Sequence, residues 1–188
     1  MSTTTGGTLN LVKPALTDDH KVTIGTDLPA NFQKVDDEFT AHKNDKTQHI
    51  SGNPAVRIRK DSNQSIANGE YTVVSFDAET FDTDSMHDIA TNNSRITFNT
   101  PGKYLIVAQC DFDGNATGIR GAQIYLNSTS ALSSILIPNN GASYTASVFT
   151  QTLWAVSQND YIEMKAFQNS GGALNVLLGS WIFAIKVG

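Results

Sequence analysis

The chain has 188 residues, a formal net charge of −5 and 39% hydrophobic residues, which bounds it to one globular domain with an appendage. There is no basic patch, no apolar run of the ~18 residues a membrane span needs, and no charged-then-apolar leader at the start. Nucleic-acid binding, membrane insertion and export therefore have no support in the sequence. Cys110 is the only cysteine, so no intrachain disulfide can form, and its place in an apolar run predicts a buried thiol.

Residues 1–27 hold too few apolar groups to fold alone, chiefly Leu9, Leu11, Val12 and Leu16. The segment either stays open or orders against a partner. Residues 28–52 differ. Leu28, Phe32, Val35, Phe39, His42, Lys46 and His49 follow alternating steps of four and three, the spacing of a heptad stripe. Asp27 can cap the first turn and Pro29 suits a first-turn position, so a helix of about 33 Å is predicted over 28–49. Only Leu28 to Phe39 is apolar. Three readings stand: a short trimeric coil, a single helix packed on another part, or a frayed linker. His42 and His49 on the stripe are either ion-binding layers or a solvated helix end. Gly52-Asn53-Pro54 closes this segment.

From residue 53 onward the pattern is β. Val56 and Ile58 alternate with arginines, and Tyr71 to Phe76 reads as a further strand. Five carboxylates follow between Asp77 and Asp88, read as an exposed, solubilising loop. Arg95 to Phe98 alternates, Pro101-Gly102 turns, and Tyr104 to Cys110 is almost wholly apolar, so it should be covered on both faces. Gly121–Leu126, Ile135–Ile137, Ala146–Val156, Tyr161–Phe167, Leu174–Leu178 and Trp181–Val187 complete the set. The last strand is apolar on both faces and should lie centrally in its sheet. Strands in series with glycine-rich punctuation predict an all-β sandwich.

Chemistry-bearing patterns are sparse. Asp111, Asp113 and Asn115 with Gly114 and Gly118 suggest an oxygen-rich calcium loop, but the distal bidentate glutamate is missing and ordinary turn chemistry accounts for them too. No catalytic constellation is present, and no cofactor motif. Two loops, Pro138–Tyr144 and Gln168–Ala173, join amide groups to a nearby aromatic. Asn139, Asn140, Tyr144, Asn169 and Ser170 are therefore candidate sugar ligands, with an ordinary β-turn as the alternative for either loop.

Thr100-Pro101-Gly102-Lys103-Tyr104, Asn159-Asp160-Tyr161-Ile162-Glu163 and Gln168 to Val176 resemble, in order and spacing, phrases of the complement/tumour-necrosis-factor jelly-roll superfamily. The resemblance covers roughly Pro54 to Gly188. It implies a jelly-roll head, a homotrimer and a C-terminal strand paired inside a sheet. The segments Leu9 to Pro14, Asn31 to Asp36 and Asp45 to Ile50 resemble the virion-attachment start of fibre and minor structural proteins of tailed phages. Together these imply a virion protein: an anchor over 1–27 gripping capsid, baseplate or tail, a stalk over 28–52, and a trimeric head over 53–188. The head would bind a host cell-surface polymer, a glycan. No enzymatic activity is expected. Non-adhesive decoration of the capsid or tail is the alternative, and a polysaccharide depolymerase the third reading.

Overall fold

The computed structural model describes residues 20–44, 52–139 and 144–188, with helix side chains from 29 to 41. Chain contacts divide it into two units, 1–52 and 53–188. The first unit holds α1 (His20–Asn44). It begins well before the expected Asp27 cap, and Pro29 lies inside it. A proline interrupts the ladder at one amide and strains the turn before it, which a helix can pass with a bend. On this helix Phe32 is 67% exposed, Val35 42% and Phe39 68%. Gln33 Nε2 donates to Asp37 Oδ1 at 2.8 Å, one turn on, along the polar side. The side chains of Leu28 and His42, and residues Lys46 and His49, lie outside the described residues.

The second unit is a two-layer sandwich. One sheet runs β2 (Gln64–Ile66), β11 (Leu174–Val176), β6 (Gly102–Phe112), β12 (Trp181–Lys186), β1 (Ala55–Arg59) and β4 (Ala78–Asp82), with β9 (Ala146–Val156) paired to the other side of β6. The second runs β3 (Tyr71–Val73), β10 (Tyr161–Gln168), β7 (Ile119–Leu126) and β8 (Ser130–Pro138), with β5 (Arg95–Thr97) also on β10. All pairings are antiparallel. β12 is central, as expected: Ile182 faces Ala108 of β6 on one side and Ile58 of β1 on the other.

Alternate residues of each strand point inward and form one core. Ile58, Phe76, Phe98, Tyr104, Ile106, Phe112, Ile124 and Ile162 are fully buried there. Each such side chain contributes roughly 1.5–3 kcal/mol of burial energy. Cys110 is buried among them, and burial pushes its thiol up, out of the reactive range.

Two strands depart from the sequence reading. Ala78–Asp82 lies inside the acidic run yet pairs with β1, because β1 needs a partner on its free side. Gln64–Ile66, too short and polar to register as periodic, pairs with β11. A third difference matters more. β6 is buried on its inward face only; Leu105, Val107 and Gln109 on the other face are partly exposed. The expectation of cover on both faces fails within a single chain.

Candidate functional site

The outward face of the larger sheet is the main feature. Register places Leu105 beside Leu153 and Ile185, Val107 beside Phe183, and Arg57 between Phe183 and Phe81. Leu153 is 59% exposed, Phe149 52% and Phe81 40%. A contiguous apolar area of this kind marks an interaction surface. A polar thread crosses it: Trp181 Nε1 donates to Gln109 Oε1 at 2.9 Å, and Gln109 Nε2 donates to both oxygens of Asp111 at 2.9 and 2.8 Å. The Asp111 carboxylate, a calcium candidate, is thus engaged by an amide on the sheet face.

The face continues around one edge. Among the described residues no strand lies beyond β9, and β8 borders it from the other sheet, with Ser133 Oγ and Thr150 Oγ1 at 2.5 Å. A hollow of about 440 Å³ opens here between Val107, Ile135, Phe149 and Gln151. Trp154 and Leu136 are also exposed on this edge. The sequence carries a signal for it that periodicity does not use. From Gly121 to Asn159 there is no Asp, Glu, Lys or Arg. Free strand edges are normally guarded by charge; this one has none, which suits it to be covered.

The loops gather at the end of the sandwich opposite Asn53 and Gly188. Asn169 Oδ1 accepts from Ile119 N at 2.5 Å, and Asn139 N donates to Gly118 O at 2.9 Å. Asn139 Nδ2 also donates to Asn115 O. Asn115, Asn139 and Asn169 therefore meet around 115–119. Gly118 makes this possible: its φ is +82°, and a Cβ there would lie 2.3 Å from Asn169 O. Beneath them the fully buried Arg120 guanidinium donates to the carbonyls of Asn115 and Thr117 at 3.0 Å and of Ile119 at 3.1 Å. Burial lowers its pKa. Ser170 donates through N and Oγ to Gln168 Oε1. Tyr144 stands 80% exposed, and Asn140 lies outside the described residues. Most of the candidate amides are thus spent on the chain's own backbone.

Asp113 Oδ1 accepts from Gly114 N, and among the described residues no three His, Cys, Asp or Glu side chains gather as a metal would require. The carboxylates of the acidic run serve as turn anchors. Asp82 accepts from the amides of Asp84 and His87, Asp88 from those of Ala90 and Thr91. Asp77 is pushed up by burial but held below the usual carboxylate range by hydrogen bonds from Ser62 and Asp61.

Two facing antiparallel sheets with these connections form a jelly roll of the complement/tumour-necrosis-factor type. The globular domain of the zebrafish complement 1qA protein superposes with a TM-score of 0.55 at 15% identity, covering 72% of this chain and 98% of that one. Murine APRIL at pH 8.0 gives 0.55 at 15% identity, covering 72% and 99%. Eiger TNF from S. frugiperda gives 0.52 at 10% identity, covering 72% and 93%. No protein-family model and no curated protein matches the chain.

Proposed function

We propose that the chain is a trimeric head displayed on a tailed-phage particle, where it attaches to a glycan on the host surface. The observation that carries assembly is the partly exposed apolar face of the larger sheet beside an uncharged strand edge. A heterologous contact, face of one copy on edge of the next, closes into a ring when the rotation allows. The exposed Phe32 and Phe39 on α1 give the preceding segment a stripe of its own to share among copies. Residues 1–27 are the proposed grip on capsid, baseplate or tail. Three heads on one axis present three copies of the loop end together, so weak sites combine into useful avidity.

A second reading, decoration without adhesion, draws support from one observation: Asn139 and Asn169 direct side-chain groups to the chain's own backbone, and Ser170 donates to the Gln168 side chain. Light scattering on the purified protein should give three subunits. Fluorescent protein incubated with intact bacteria should bind cells, and antibody against it should label virions. Labelled virions without cell binding favour decoration; a monomer that labels neither sinks both.

A further inference from the structure

Arg57 stands out among the arginines. Arg59, on the same face, is paired with Asp61 at 2.9 Å; Arg95 is paired with Glu163 at 3.1 Å; Arg120 is tied to carbonyls. Among the described residues the Arg57 side chain donates no hydrogen bond, and its Nε is buried without a partner. Its guanidinium lies over the Trp181 ring, Cζ 4.6 Å from the centroid. It opens into a hollow of about 300 Å³ whose other walls are Phe81, Val107, Trp181 and Phe183. Phe81 and Phe183 meet edge to face at 6.2 Å.

We infer that this hollow binds an organic monocarboxylate, its carboxylate on the Arg57 fork and its apolar body against Phe81 and Phe183. A guanidinium matches a planar carboxylate with two parallel hydrogen bonds. A hollow of this size with apolar walls and one convergent charged group has the form of a small-ligand site. A multiply charged oxyanion would lose more hydration against aromatic walls than it regains from one arginine. The inference rests on the assembly reading in one respect. Covering this face with a neighbour's edge would bury Arg57, and that edge, uncharged from 121 to 159, brings no carboxylate. The ligand supplies the missing counter-charge.

The test is calorimetric titration of the full chain with benzoate, benzamide and inorganic phosphate, with sedimentation run in parallel. Benzoate should bind saturably at one per subunit. Benzamide and phosphate should bind roughly ten- to hundredfold more weakly, and benzoate should lose a similar factor in Arg57→Met. Equal affinity for benzoate and benzamide, preference for phosphate, or no benzoate heat overturns the site. Should Arg57→Met fold poorly, the benzoate–benzamide comparison on the unaltered chain decides. A monomer by sedimentation sinks the assembly reading alone; the same heats still judge the site.

Discussion

Tyr104 shows how one side chain sets a pH limit. It is fully buried, and its hydroxyl donates to Thr100 O at 2.8 Å. Burial, helped by the charge of Asp84, pushes its phenol up to about 12 from 10.0. Because the folded value lies above the unfolded one, the associated stability is complete below pH 10. It drains away as pH rises toward 12, a loss of roughly 2–3 kcal/mol. Tyr104→Phe should cost about 1 kcal/mol at neutral pH through the unmet carbonyl, yet lose less stability between pH 10 and 12. Melting temperatures across that range check this; parallel decline in both proteins would assign alkaline unfolding to another group. Single residues also marked the limits of reading the sequence. Asn115, Asn139 and Asn169 were visible as turn formers, but their meeting around Gly118 depends on strand ends far apart in the chain. Arg57, two residues before a properly paired arginine, looks ordinary until β4 and β12 bring Phe81, Phe183 and Trp181 around it.

At the scale of elements, long regular strands were legible and short polar ones were not. Ala146–Val156 announces itself by length and β-favouring residues, and Trp181–Lys186 by its run of large apolar side chains. Gln64–Ile66 and Ala78–Asp82 do not, because hydrogen bonding to β11 and β1 makes them strands, not their own composition. The helix start was missed because Pro29 was read as a first-turn signal, while the ladder continues through it from His20. β12 bridges β6 and β1, so deleting residues 181–188 should split the larger sheet in two and abolish folding. Cooperative melting of the truncated chain would contradict this. For α1, Phe32→Asp with Phe39→Asp removes the exposed stripe and should weaken the proposed trimer, while melting of the sandwich changes little. Light scattering that stays trimeric after dilution would show that α1 adds nothing to assembly.

For the whole molecule, the sandwich class followed from patterning, but the direction of its uncovered face did not. The apolar run at Tyr104–Cys110 predicted cover on both sides. The structure buries one side and leaves Leu105 and Val107, with Phe183 and Ile185 beside them, partly exposed on the other. Leu153→Glu places a carboxylate on the edge strand of that face, beside Leu105, at a position exposed in the single chain. It should yield folded monomers in place of the proposed trimer, seen as one third of the mass with an unchanged near-ultraviolet circular dichroism spectrum. An intact trimer would move the contact elsewhere. The sandwich also begins and finishes in one place: Asn53 Nδ2 donates to Lys186 O at 3.2 Å, and Lys103 N donates to Gly188 O at 2.7 Å. A cassette whose two attachment points are neighbours can be grafted into a loop of an unrelated host protein, or fitted to a different shaft, without stretching either junction. Any cargo joined there would project away from the rim formed by Asn115, Asn139 and Asn169, leaving that rim open for engineering.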